Sequence, residues 1–143
     1  MKRLLILSAT LGISLAAFAH ERPVQPTALP AKAQQFIKEH FASQQISHAT
    51  YDNELTDQNY DVYLADGTHL EFTRRGAIQK VDSPRGGSIP SGLLPANIEE
   101  YVAGHHPGRR IVEAERDRHN REVKLSGDIE LVLDRHGRLK WYD

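Results

Sequence analysis

The chain has 143 residues, 18 Lys and Arg against 19 Asp and Glu, a formal net charge of −1, and no Cys. The near balance and the interspersed signs exclude the basic stripe that nucleic-acid binding needs. The missing thiol excludes thiolate zinc sites, thiol catalysis and disulfide chemistry, so any fold must stand on hydrophobic burial alone.

Met1-Lys2-Arg3 is a short basic start, Leu4 to Leu15 is almost wholly apolar, and Ala17-Phe18-Ala19 supplies small residues at −3 and −1. That order reads as a secretory signal peptide over residues 1–19, cleaved after Ala19. The apolar run is shorter than the roughly 20 residues of a spanning helix. The expectation is therefore a periplasmic protein with no stable membrane insertion after cleavage. No Cys follows the signal, which excludes a lipid-anchored lipoprotein. Residues 20–28 are polar with Pro23 and Pro26, and read as a flexible mature N-terminus.

The remainder contains one pattern twice. Leu29-Pro30-Ala31 returns as Leu94-Pro95-Ala96, Phe36-Ile37 as Tyr101-Val102, His40 as His105 and Phe41 as His106. Further on, Val62 and Leu64 match Val123 and Leu125, Leu70 and Phe72 match Leu131 and Leu133, and Gly76 matches Gly137. Each copy opens with a helix behind a proline, which tolerates a helix start. Ala33, Phe36, Ile37 and Phe41 form an apolar stripe, repeated by Ile98, Tyr101 and Val102. Neither helix is long enough to be stable alone.

After each helix the period changes to two. Tyr60, Val62 and Leu64 lead to an Asp66-Gly67 hairpin turn and then to Leu70 and Phe72. Val123 and Leu125 lead through Gly127-Asp128 to Ile129, Leu131 and Leu133, then to Leu139 and Trp141. Less regular strands precede each set near Ile46–Glu54 and Ile111–Arg118. The predicted fold is α+β, with two tandem αββββ repeats over residues 29–82 and 94–143. Residues 83–93, rich in Pro and Gly, link them. At about 50 residues each, neither copy is expected to be independent, so the antiparallel sheets should join or abut with both helices on one face. The other face would be open. Strict alternation places Tyr63, His69, Glu71, Gln79 and Val81 on it, with Lys124, Glu130, Val132, Lys140 and Tyr142 from the second copy. Tyr51 is expected to join them, and Trp141 is expected in the core.

The series resembles the PepSY-like, β-lactamase-inhibitor-protein-like periplasmic proteins. It is carried by Leu29-Pro30, Phe36-Ile37 and Phe41, then Tyr60-Asp61-Val62, Asp66-Gly67-Thr68, Leu70-Glu71-Phe72 and Gly76. Ile89-Pro90-Ser91-Gly92-Leu93-Leu94-Pro95 and His106-Pro107-Gly108 complete it. The resemblance covers nearly all of the mature chain. It implies one curved sheet with helices on one side and, from the namesake inhibitor, an open sheet that grips a protein; it carries over no catalytic residue. The chain departs from the inhibitors in having no Cys, and Ile78 stands where many relatives have Trp.

Chemistry-bearing residues give no catalytic constellation. No Gly-x-Ser-x-Gly, His-Glu-x-x-His or phosphate loop occurs. Eight histidines invite a metal reading, with His105-His106 the closest pair, yet adjacent helical residues do not face one site. An amino-terminal His20 is a lesser copper candidate. Glu113, Glu115 and Asp117 alternate as an acidic strand face. The resulting expectation is a non-catalytic module, with no cofactor, recognising an unidentified periplasmic protein or peptide through the open sheet face. The alternative is a metal or small-ligand binder using His side chains.

Overall fold

The computed structural model describes residues 21–54, 56 and 58–142; the expected signal peptide, its cleavage site and His20 lie outside these. Nine strands form one antiparallel sheet in simple sequence order: β1 Glu21–Val24, β2 Ile46–Asn53, β3 Gln58–Leu64, β4 His69–Thr73, β5 Ile78–Asp82, β6 Ile111–Arg116, β7 Asn120–Leu125, β8 Ile129–Asp134 and β9 Leu139–Tyr142. Helix α1 (Ala31–His40) precedes β2, and α2 (Ala96–His105) precedes β6. The fold is α+β with an open sheet. The two groups of strands are one sheet because β5 pairs with β6, with Val81 opposite Ala114.

Both helices start and stop alike. Pro30 and Pro95 take extended backbone just before the first turn. At the other end, the Phe41 N–H donates to Ile37 O and the His106 N–H to Val102 O, both at 2.8 Å. Ten residues are too few to hold a helix in water, so burial must hold them. Ala33 and Ile37 of α1 pack on Val62, Leu70 and Phe72, while Ile98 and Val102 of α2 pack on Val123, Leu131 and Leu133. Val81 and Ala114 continue the same sheet face between them, so both helices cover one side. Fully burying Phe72 or Leu70 stabilises the fold by about 1.5–3 kcal/mol each.

Glycine lets each helix sit down on its own sheet. Gly76, in the β4–β5 turn, has φ +81°, and a Cβ there would lie 2.8 Å from Pro30 Cβ and 3.0 Å from Ala33 N. Gly137, in the β8–β9 turn, has φ +80°, and a Cβ would meet Asn97 Nδ2 at 2.5 Å. Both need the left-handed region and close helix approach that only glycine combines without strain.

Four expectations are corrected. Residues from Glu21 do not form a loose N-terminus: Glu21–Val24 is the edge strand β1, paired with Ala49–Asp52 of β2. Val81 lies in the core rather than on the open face, because a bulge between β4 and β5 pairs Phe72 with Ile78 but Glu71 with Lys80. A second bulge pairs Leu133 with Leu139 but Val132 with Trp141 and Leu131 with Tyr142. Tyr142 therefore turns to the helix side and Trp141 to the open face, the reverse of strict alternation. One inserted residue moves every following side chain to the other face. Tyr51, opposite Tyr60 and two residues from core Ala49, is also on the helix side and buried.

Residues 83–95 cross from β5 to α2 without helix or strand. They are nonetheless fixed: Ile89 is buried in the core and its N–H donates to Ile111 O at 2.9 Å.

Candidate functional site

The uncovered face of the sheet carries two rows of side chains, each running across successive strands. One row is His48, Tyr63, His69, Asp82, Glu113, Lys124 and Glu130. The other is Thr50, Asp61, Glu71, Lys80, Glu115, Glu122, Val132 and Trp141. Directly opposite residues share a face and bring their Cβ atoms within about 5 Å, so each row is a continuous band.

The bands differ in chemistry along their length. At the β2–β4 end, three rings stack: His48 on Tyr63 at 4.4 Å and 11°, and Tyr63 on His69 at 4.5 Å and 14°. His69 Nε2 meets Asp61 Oδ1 at 2.6 Å, which fixes the ring. Asn59 Nδ2 donates to Glu71 Oε1 at 2.7 Å. At the centre, Lys80 Nζ bridges Glu113 at 2.9 Å and Glu115 at 3.7 Å, while Lys124 Nζ reaches Glu113 at 3.3 Å and Glu130 at 3.9 Å. At the β9 edge, Trp141 is 47 % exposed. Lys140, the extra residue of the bulge, lies 4.7 Å over its ring and donates to Asn120 Oδ1 at 2.8 Å. Val132, opposite Trp141, is buried despite its open-face position.

Of the residues expected on this face, Tyr63, His69, Glu71, Lys124, Glu130, Val132 and Lys140 are placed there. Tyr51 and Tyr142 are not. Tyr51 packs against Tyr60 at 4.7 Å with the Arg22 guanidinium 5.2 Å from its ring, and the Tyr142 and Tyr101 hydroxyls meet at 2.6 Å. His105 and His106 turn to different neighbours: His105 stacks on Tyr101 at 4.1 Å, whereas His106 meets Tyr142 edge-on at 5.8 Å. Among the described residues, no group of three or more His, Asp or Glu is placed to hold a metal ion.

A family model described as "Putative beta-lactamase-inhibitor-like, PepSY-like" matches residues 58–140, more than half of the chain. The chain belongs to this PepSY-like family. No curated protein matches it significantly. Among solved structures, it is similar to a protein of Bacteroides thetaiotaomicron described as a "putative calcium-regulated periplasmic protein": 34% identity, TM-score 0.82, covering 86% of this chain and 96% of that one. A periplasmic protein of the DUF2874 family from Bacteroides vulgatus matches at 33% identity, TM-score 0.81, covering 86% and 96%. A third, a periplasmic protein of unknown function from Bacteroides vulgatus, matches at 28% identity, TM-score 0.81, covering 86% and 98%. All three solved relatives carry the description "putative" periplasmic protein. No helix among the described residues is long and apolar enough to cross a membrane.

The electrostatics of the PepSY-like sheet are set by its crowded carboxylates. Burial, then the Asp61 and Glu115 charges, pushes Glu71 above the ordinary carboxylate value, with His69 and Lys80 opposing. Burial followed by Glu115 and Glu130 does the same to Glu122. Glu113 goes the other way: burial opposes its charge, but hydrogen bonds and charge from Lys80 and Lys124 outweigh it and hold the carboxyl low. Tyr63 is raised by burial and by Asp61, Glu21 and Glu71. The Tyr63 ring therefore sits in a negative field set by Asp61, Glu21 and Glu71.

His48, Lys80, Glu113 and Trp141 are among the members of the face that the sequence did not assign to it, with Thr50, Asp61, Asp82, Glu115 and Glu122. His48 is aligned by a bulge between Ile46 and His48, and the same irregularity recurs between Ile111 and Glu113. The acidic alternation of Glu113 and Glu115 was a visible signal for the central network. Nothing local marks His48 or Trp141, since only pairing with a neighbour assigns their side.

Proposed function

We propose that this chain is a non-catalytic periplasmic binding protein that recognises a protein or peptide through the bare face of its sheet. The observation that carries the reading is the one-sided architecture: both helices cover one face, and the other presents the His48–Tyr63–His69 stack and exposed Trp141. Rigid aromatic surfaces of this kind give large contact area at low entropy cost, which is why Tyr and Trp are enriched at binding hot spots. The periplasmic descriptions of the solved relatives support the location, and the family's inhibitor likeness supports a role without catalysis.

Two further elements belong to the same reading. Residues 1–19 act as a signal peptide cleaved after Ala19. The two αββββ halves are copies of one unit, a reading supported by matching prolines before each helix, matching glycines under each helix and matching bulges after β4 and β8.

The test is crosslinking of the mature protein in periplasmic extract. One partner should be captured by the wild type and lost in Tyr63→Asp and Trp141→Ala, with unchanged folding by circular dichroism. Equal capture by wild type and both variants would remove the open face from consideration.

A further inference from the structure

A second feature lies at the sheet end where the β4–β5, β6–β7 and β8–β9 turns gather, reaching from the helix side, where Arg116 and Arg121 stand in line with Ala114 and Val123, round to Thr73 and Asn120 on the open face. Arg116, Arg118, Arg121 and Arg135 line a cleft of about 550 Å³ there. Arg116 and Arg121 are directly opposite on β6 and β7, and like charges in that position oppose folding. Among the described residues none of the four is in an ion pair. The one carboxylate lining the cleft, Asp117, is already engaged: it accepts the N–H groups of His119 and Asn120, both at 2.6 Å. The fold thus gathers four guanidinium groups around a single lining carboxylate.

A narrower slot of about 100 Å³ adjoins this cleft, sharing Arg116, Arg121 and Gln79 with it. Its other walls come from Ile78, Val81, Ala114 and Val123 of the sheet, from Leu93 and Leu94 of the crossing segment, and from Glu115, whose carboxylate is paired with Lys80 at 3.7 Å. Gln79 stands at the β4–β5 bulge, and its Oε1 is buried with no hydrogen-bond partner among the described residues. A buried acceptor left unpaired costs about 1–3 kcal/mol. Three demands therefore converge on one place: an anion for the arginines, an N–H or O–H donor for Gln79, and a small apolar group for the slot.

The geometry points to a site for the C-terminal residue of a peptide, with a branched apolar side chain. Its carboxylate pairs with Arg116 and Arg121, its amide N–H donates to Gln79 Oε1, and its side chain enters the slot against Ala114 and Val123. A terminal carboxylate suits the forked donors of arginine, which bind such groups through paired hydrogen bonds. An inorganic anion satisfies only the arginines, and a neutral apolar molecule only the slot. The slot and its two arginines lie on the helix side, away from the stacked rings, so the site stands or falls separately from recognition through the open sheet face.

The test uses N-acetylvaline as probe, with binding to the mature protein followed by calorimetry and by amide chemical shifts. Saturable binding should perturb residues 78–81 and 114–123. N-acetylvalinamide, which lacks the carboxylate, and N-acetylglycine, which lacks the side chain, should each bind at least about tenfold more weakly, the scale of one lost charge-assisted hydrogen bond or one lost apolar group. Arg116→Gln and Arg121→Gln should weaken N-acetylvaline similarly while melting no earlier than wild type, since each relieves a like-charge pair. Ala114→Leu, which fills the slot, should abolish the preference for N-acetylvaline over N-acetylglycine. Absence of saturable binding overturns the proposal, as does equal binding of the amide or unchanged affinity in both arginine variants. Inorganic phosphate binding as tightly as N-acetylvaline would also overturn it, by reducing the cleft to a general anion site.

Discussion

The half built from α1 and β2–β5 and the half built from α2 and β6–β9 each set one helix before four strands, with β1 added only to the first, yet they fill these elements differently. The first is closed by aromatics: Phe36 meets Phe72 edge-on at 5.6 Å and Phe41 at 6.3 Å. At the corresponding places the second has Tyr101, Leu133 and His106. Phe41 is buried among apolar side chains, whereas the Nε2 of His106 is buried with no partner among the described residues. The outer side of β2 is covered by β1, whereas β9 ends the sheet with Trp141 and Tyr142 exposed. The same scaffold is thus closed at one end and thinner at the other, and the thinner half depends on the β5–β6 seam.

The largest effects should come from the two cores. Phe72→Ala should cost about 3–5 kcal/mol and Leu133→Ala about 2–5 kcal/mol, toward the lower part of that range. Both should lower one shared transition in urea, because the halves are hydrogen-bonded into one sheet. Two separated transitions in either variant would break the picture of a continuous sheet.

Next come the glycines beneath the helices. Gly76→Ala should destabilise by more than about 1 kcal/mol, since its Cβ meets the backbone N of Ala33 and the ring of Pro30. Gly137→Ala should cost less, because its nearest contact is the movable amide tip of Asn97 rather than helix backbone, although the buried Ile98 Cγ1 also stands 2.9 Å away. Thermal melts showing the opposite order would mean that the second helix is the more tightly held. In the reverse direction, His106→Phe should raise stability by about 1 kcal/mol, by restoring the first half's residue and removing an unpaired buried nitrogen.

The seam gives a pH dependence of two signs. Glu71 and Glu122 have raised values in the fold, so their protonation relieves the burial of a charge and then the repulsion from neighbouring carboxylates, and stability gains as pH falls through those raised values. Glu113 is depressed, so the stability of its lysine pairs is complete above the ordinary carboxylate value and is lost as pH falls through its lower folded value. Urea midpoints measured against pH should therefore pass through a maximum on the mildly acidic side. Glu113→Gln should flatten the low-pH limb, and an unchanged limb would assign the loss to other groups. The smallest effect on stability, within about 0.5 kcal/mol, is expected for exposed Trp141→Ala. That makes it the cleanest probe of partner capture at the thin end.

Much of the framework was legible because local chemistry dictates it. Pro30 and Pro95 mark helix starts wherever they are placed, and the alternation around Val62, Leu70, Val123 and Leu131 needs no knowledge of neighbours. Asp66-Gly67 likewise turns the chain by its own backbone preferences. The candidate face was legible only up to each bulge. Tyr63, His69, Glu71, Lys124 and Glu130 lie where alternation puts them, on strands paired without a register shift across β3–β4 and β7–β8; the extra residues come in β5 and β9. Val81, Trp141 and Tyr142 follow them and do not.

The sequence by itself determined an α+β chain, two short helices that must be buried, and an antiparallel sheet with one polar face. Those features follow from periodicity and turn chemistry within a few residues. Only the tertiary structure decided that Glu21–Val24 closes the sheet edge, that β5 and β6 fuse the halves, and which rings share a face. The physical reason is that pairing register belongs to two strands together. The His48–Tyr63–His69 stack spans three strands, and a single extra residue in β5 or β9 reverses the side that each later residue presents.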